Sequence, residues 1–396
     1  MRSVIIVSIF LFSISQQISA QSKPAVFMLD MEVLKSNKEK LSAKTIAYKQ
    51  LIKEADAAIS LPTMSVMEKQ LSPPSGNKHD YMSIAPYFWP DPNKEDGLPY
   101  IRKDGQVNPE VEQYKDKEYL NLLCKSINTL ALAYYFSDDE KYALKAITLL
   151  RVWFIDPSTK MNPNLNFGQA IKGVNDGRAE GIIDTRFFMK VVDAIGLISN
   201  SNNWTSNDQA SMKNWFKEYL KWLEESEIGK DEKKAKNNHG IWYDAQLLSY
   251  ALFINDKEKA KEIVNSLLER MNFQMDQNGF FPAEMKRTIS LHYSVFVMDP
   301  LFNVAQMSKH LNLDIWNYTT SKGKSLKLAY QALLPYISKE KDWEGEQIKP
   351  FEFQAAVPLL AQGITKYNCN ECKESIKEIL GEKFEKSVYN LIYSLD

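Results

Sequence analysis

Two stretches of the chain repeat one pattern, and that pattern leaves few folds open. One, LALAYYFSDDEKYALKAITLL, begins at Leu130; the other, LSYALFINDKEKAKEIVNSLL, begins at Leu248. Each is an apolar run at helical period, a short acidic turn and a second such run. Tyr119, Leu120, Leu123, Ile127, Leu130 and Ala131 recur at the i, i+3, i+4 spacing of one helical face. Ser137-Asp138-Asp139-Glu140 then gives a turn and a cap, and Ala143, Ile147, Leu150 and Phe154 carry the return helix. In the second hairpin, Leu247–Phe253 ends at Asn255-Asp256-Lys257-Glu258, and Ala260, Ile263, Leu267 and Met271 follow. Further helices are expected near Ile183–Ile198, Asp208–Glu225, Val295–His310, Ser325–Ile337, Phe351–Thr365 and Lys373–Leu395. Strand-like alternation is scarce. Repeated αα-hairpins stack into a solenoid or close into an (α/α) toroid.

The N-terminus sets the expected compartment. Arg2, an apolar run from Val4 to Ile14 and the small-residue end Ile18-Ser19-Ala20 form a signal-peptide pattern. The run is shorter than the ~20 residues that span a bilayer. Residues 1–20 are therefore expected to be removed, leaving residues 21–396 as a single exported domain, periplasmic or secreted. An uncleaved anchor helix is the competing reading. The 49 basic and 50 acidic residues nearly balance. Net charge thus points to no nucleic acid, and an acidic polymer would need a local basic cleft. Cys124 reads as core, and Cys369 and Cys372 as a local structural pair without the further ligands a metal site needs. A monomer is expected.

The long irregular segments Ser72–Pro109, Asp156–Arg178 and the charged Lys230–Asn238 are where function concentrates in such folds. Of the four histidines, His239 lies in Lys236-Asn237-Asn238-His239-Gly240-Ile241-Trp242-Tyr243 at a helix start. Side-chain amides, an imidazole and free backbone N–H groups there suit an anion; Asn238 as a plain N-cap is the blander reading. A second cluster, Glu284-Met285-Lys286-Arg287 through His292-Tyr293, groups positive charge with two titratable rings. A third, His79-Asp80-Tyr81 through Tyr87-Phe88-Trp89-Pro90, sets aromatics in a Pro-rich loop suited to stacking on sugars, or to packing the loop itself. In the fourth, Gly177-Arg178 through Asp184-Thr185-Arg186, Arg178 suits a bidentate grip on a carboxylate.

These four clusters, in this order between Tyr81 and Met307, resemble the alginate-lyase superfamily of helical-toroid polysaccharide lyases, close to polysaccharide lyase families 5 and 38. The resemblance implies an all-α fold, an (α/α) toroid of repeated helical hairpins. It also implies β-elimination on a uronic-acid polymer, alginate, polymannuronate or glucuronan. Its site residues map onto Asn238, His239, Arg287 and Tyr293. The gap from Arg287 to Tyr293 is one residue shorter than in the better-known members, which brings His292 into consideration. His79, Tyr81, Tyr87, Trp89, Arg178, Asn237, Trp242, Tyr243 and Lys286 are the expected substrate contacts.

β-Elimination needs the uronate carboxylate neutralised, a base for the C5 proton and an acid for the leaving oxygen. Asn238 and His239 are expected to supply donors. Arg287 is expected to lower the pKa of Tyr293 from ~10. Tyr293 then serves as base and acid, or His239 as base with Tyr293 as acid. No metal or other cofactor is required by this scheme. Two rivals remain: a toroidal glycoside hydrolase using two of Asp80, Asp176, Asp184 and Glu284, and a polysaccharide-binding protein without catalysis.

Overall fold

A computed structural model describes residues 25–395. The expected signal peptide, residues 1–20, lies outside the described residues. The chain runs through α1 (Met31–Glu39), α2 (Thr45–Ser60), α3 (Lys115–Ser137), α4 (Glu140–Leu150), α5 (Phe188–Ile198), α6 (Ser206–Glu225), α7 (Glu227–Lys233) and α8 (Asn238–Phe253). It continues through α9 (Lys257–Gln274), α10 (Pro282–Met285), α11 (Ser290–Ser308), α12 (Leu326–Ile337), α13 (Val357–Tyr367), α14 (Cys372–Leu380) and α15 (Tyr389–Ile392). Both expected hairpins form, as α3–α4 and α8–α9.

Burial sorts the helices into two rows. α5, α8 and α11 are apolar around most of their circumference and almost wholly buried. That is the signature of an inner helix. α6 and α9 bury one stripe, Met212, Phe216, Tyr219 and Leu223 in the first and Ala260, Val264, Leu267 and Met271 in the second. α3, α5, α8, α11 and α13 pack in succession as the inner row, backed by α2, α4, α6, α9, α12 and α14. This is the (α/α) toroid. Where the two ends of the chain meet, α15 packs on α1 and α2, and Asn37 Nδ2 donates to Leu391 O and Tyr393 O at 2.9 and 3.1 Å. The half-buried residues of α11, His292, Phe296, Asp299 and Asn303, recur at helical spacing. They form one stripe, and its lower part lines the central hollow together with Arg186 and Trp242.

Two expectations need correction. Lys230–Asn238 is not all loop, because α7 occupies Glu227–Lys233. Ser226 Oγ caps it by accepting from Gly229 N, and Lys230 pairs with Glu227. Lys373–Leu395 is not one helix; α14 stops at Gly381, whose positive φ of 52° takes the chain out of the helical path. Cys369 and Cys372 form a disulfide that ties the start of α14 to the turn before it, and Cys124 is buried in α3.

The Ser72–Pro109 segment is anchored at both ends of its path. β1 (Met82–Ile84) pairs in parallel with β4 (Phe167–Ala170), and β2 (Phe88–Trp89) pairs antiparallel with β3 (Ile101–Arg102). Buried Lys69 ties the entry, with Nζ 2.8 Å from Asp116 of α3 and 2.7 Å from the carbonyls of Lys78 and Asp80. Removing one partner of a buried pair strands the other charge, at about 3–5 kcal/mol. Lys69→Met should lose that much in urea unfolding. A loss under about 1 kcal/mol, the range of an exposed pair, would show that water reaches Asp116.

Candidate active site

The first turn of α8 carries Asn237 as N-cap, its side chain accepting from His239 N at 3.1 Å. Asn238, the next residue, is fully buried. Its backbone N–H and its Nδ2 both donate to the Glu284 carboxylate, at 2.6 and 2.8 Å. An internal anion thus occupies the helix N-terminus, where the sequence suggested room for a substrate anion. One of the two Nδ2 hydrogens of Asn238 is thereby committed to Glu284. Its amide holds Glu284, and Glu284 in turn locks α10 against α8.

His239, one residue on, is only partly covered and lines a cleft of about 460 Å³ with Asn237, Arg178, Glu180 and Glu232. Its Nδ1 lies 2.8 Å from Glu232 Oε1. A carboxylate at that distance accepts the Nδ1 proton and leaves Nε2 as the free ring nitrogen. Burial alone would lower the imidazole pKa, but the charge and the hydrogen bond of Glu232, with Glu180 behind them, together more than offset it and the net direction is up.

Arg178 faces the same cleft through a relay of buried polar groups. Asp184, wholly buried, accepts from Tyr81 Oη, Ser83 Oγ, Gln169 Nε2 and Lys117 Nζ at 2.7–3.0 Å. Gln169 then accepts from Arg178 Nε and Nη2, both at 3.1 Å, and Glu180 pairs with Nη1 at 3.0 Å. Three of the five guanidinium N–H groups are engaged, and two remain for a ligand. Gly181 allows the approach: a Cβ there would sit 2.5 Å from the backbone of Gly168.

On the other side of Glu284 stand Arg287 and Tyr293. The Arg287 guanidinium lies 3.5 Å from the Tyr293 ring centroid. Its Nε–Nη2 edge grips Asp104 at 2.6–3.1 Å. The Tyr293 hydroxyl is 3.1 Å from that of Tyr87. The expected lowering of the Tyr293 pKa is not observed. Burial, with Tyr87 beside it, pushes the phenol well up, and the opposing pull of Arg287 is smaller. His292 stacks on Phe296 and meets Tyr293 edge-on; burial and the nearby cations Lys349, Arg287 and Arg186 hold it below the usual imidazole range. It therefore stands as a neutral ring on the wall of the site. Glu284 feels the charges of both Arg287 and His239, so the two halves of the site are electrostatic neighbours.

The sequence pattern of the alginate lyase family matches residues 65–343. This chain belongs to the alginate lyase family. A crystal structure of an alginate lyase from Bacteroides ovatus is 38% identical, with a TM-score of 0.89, covering 94% of this chain and 100% of that one. Alginate lyase A1-III from a Sphingomonas species shares the fold at 14% identity and a TM-score of 0.56, over 87% of this chain and 91% of that one. A variant of A1-III complexed with a tetrasaccharide matches at 15% identity and 0.57, over 89% and 91%. Comparison with curated proteins gives no match.

In this family member Arg178, Asn237 and His239 share one cleft, and Tyr87, Arg287, His292 and Tyr293 form a second group. Several expected contacts lie elsewhere. Tyr81, Trp242 and Tyr243 are buried at 0, 2 and 1% exposure. Tyr81 serves Asp184, and Tyr243 donates to Leu223 O at 2.9 Å. Trp242 packs on Phe296. All three faced the core because inner helices and loop bases bury aromatics that look like sugar platforms in sequence. His79 is a loop staple, its Nδ1 2.6 Å from Lys160 O. Trp89 is half-buried, donates to Gln106 O and carries Lys103 over its ring at 5.0 Å. Lys286 is exposed at the end of α10.

The carboxylates needed by a hydrolase are committed elsewhere. Asp80 accepts from Ser75, Asn162 and Asn164, Asp184 and Glu284 are buried in the networks above, and Asp176 is exposed. Sequence reasoning passed over Glu232 and Asp104, one in a charged run and one in a loop, with no periodic signal to lift either from surface acids. If Glu232 sets the basicity of His239, Glu232→Gln should lower the His239 titration midpoint in an NMR titration. An unmoved midpoint would separate the two groups.

Proposed function

We propose that this polysaccharide lyase cleaves an alginate-type uronate polymer by β-elimination, with His239 as base and Tyr293 as acid. The observation that carries the assignment is the opposed environments of the two groups. Glu232 makes the imidazole a stronger base, and burial keeps the phenol protonated. Titratable neighbours pushed apart in this way divide acid from base work. In the reaction, the two free N–H groups of Arg178 bind the uronate carboxylate and lessen its charge, which acidifies the C5 proton. His239 Nε2 takes that proton, and Glu232 offsets the imidazolium that forms. The electron pair becomes the C4–C5 double bond as the C4–O bond breaks, and the Tyr293 hydroxyl gives its proton to the departing glycosidic oxygen. Asn238 and Glu284 hold His239 and Arg287 in register. The leader pattern of residues 1–20 supports action outside the cytoplasm, in the periplasm or beyond.

The test is ultraviolet absorbance of unsaturated ends from alginate, polymannuronate, polyguluronate and glucuronan. Tyr293→Phe keeps the ring and removes the acid, so kcat should fall by ~10²–10⁴ with little change in KM. Retention of more than about a tenth of wild-type kcat, far above that range, would remove Tyr293 from the proton transfer. Arg178→Ala should lower kcat as well as raise KM, because it removes both the grip on the carboxylate and the charge neutralisation that strengthens as the C5 proton leaves. A rise in KM with kcat unchanged would confine Arg178 to binding.

A further inference from the structure

Arg287 stands against the proposed acid, yet a protein carboxylate already engages its charge. Asp104 sits in the turn after β3 and reaches across to the junction of α10 and α11. It accepts from Arg287 Nε with both oxygens, at 3.1 and 3.0 Å, and from Nη2 at 2.6 Å. Thr288 N and Oγ1 donate to it at 3.2 and 3.1 Å, and Arg102 Nη2 at 2.7 Å. Its side chain is 17% exposed and that of Arg287 14%. The turn is closely docked: a Cβ on Gly105 would stand 2.7 Å from Thr288 Oγ1.

We propose that Asp104 is a positioning residue of the elimination. Its carboxylate holds Arg287 side-on against the Tyr293 ring and offsets the guanidinium charge, so that Tyr293 keeps its proton until the leaving oxygen takes it. Geometry excludes the simpler role for Arg287, a side-on grip on substrate, because Asp104 fills that edge. A bare guanidinium 3.5 Å from a phenol ring would favour phenolate. Paired with Asp104, the cation pulls on the phenol less than burial pushes, and burial decides the outcome. The other groups facing Tyr293 do not substitute for this. Tyr87 is a neutral hydroxyl at 3.1 Å, and His292 meets the ring edge-on at 5.3 Å as a neutral imidazole. Glu284 feels the charges of both Arg287 and His239, and Arg102 pairs with Asp104 while also acting on the charge of Arg178. Arg287 in turn holds Asp104 well below the usual carboxylate range, against the upward push of burial, so the pair stays charged wherever the enzyme works.

The inference rests on Tyr293 as acid, and the experiment separates the two. The pH profile of kcat/KM is recorded for wild type, Asp104→Asn and Asp104→Ala, with Tyr293→Phe measured beside them and melting curves taken for all. In both Asp104 variants the alkaline fall in activity should begin about one pH unit or more below that of wild type, the effect of unmasking a nearby cation. In Asp104→Ala, added acetate should enter the vacated place on Arg287 and return the profile toward wild type. An alkaline fall unmoved in both variants overturns the proposal. So does a shift that acetate leaves unchanged, or loss of folding in both variants, since either assigns Asp104 to structure alone. If Tyr293→Phe keeps its turnover, the acid assignment itself has failed, whatever the Asp104 variants do.

Discussion

A helix that begins inside a protein leaves its first N–H groups without partners, and α8 begins where the cleft requires its histidine. Glu284 answers that need with a carboxylate, accepting from the backbone and the amide of Asn238. Burying the carboxylate costs several kcal/mol; two charge-assisted hydrogen bonds and the helix dipole offset part of it. Because Glu284 belongs to α10, the same contact fixes Arg287 three residues on and the start of α11 beyond it. His239 on one side and Arg287 with Tyr293 on the other thus take their separation from one internal anion. Without it, the N-terminus of α8 and the α10–α11 turn would have no shared reference.

The same logic recurs at each basic group of the cleft. Arg178 holds Glu180, His239 holds Glu232 and Arg287 holds Asp104. The site is therefore not a bare positive groove, in keeping with a chain whose acids and bases nearly balance. Specific carboxylates set what each cation can still do. Arg178 retains two N–H groups, His239 retains one ring nitrogen, and Arg287 acts on its neighbouring ring. A polyanion binding here meets directed donors, and charge steering over long range is weak.

Much of this was legible in the order of residues. Helical period located α3, α6, α9 and α12 because each has an apolar stripe or a clear cap, such as Ser325 ahead of α12. The clustering of His239, Arg287 and Tyr293 was legible because polar residues interrupt otherwise apolar helix starts. Inner helices defeat the same method. α8 is apolar all round, so its sequence carries no rotational phase, and Trp242 and Tyr243 could not be assigned to cleft or core. Tyr81 was misread for a related reason: a loop that folds onto a domain buries its base, and Asp184 supplies the polar partner that lets a tyrosine hydroxyl go under.

The residues missed altogether were acids bound to the site's own basic groups. A search for chemistry looks for groups able to bind a carboxylate or move a proton, and it found the cations and the rings. Glu232 and Asp104 do neither; they determine the charge state of groups that do. In sequence they are two among 50 acidic residues, one in a lysine-rich run and one in a turn. What distinguishes them is burial together with contact to a cation already under suspicion, and both are properties of the fold. The sequence question that comes nearest is the complementary one. Every group that carries or gains positive charge in a water-poor cleft must have that charge offset, so each of Arg178, His239 and Arg287 implies a protein carboxylate. Only the identity of that carboxylate waits on three dimensions.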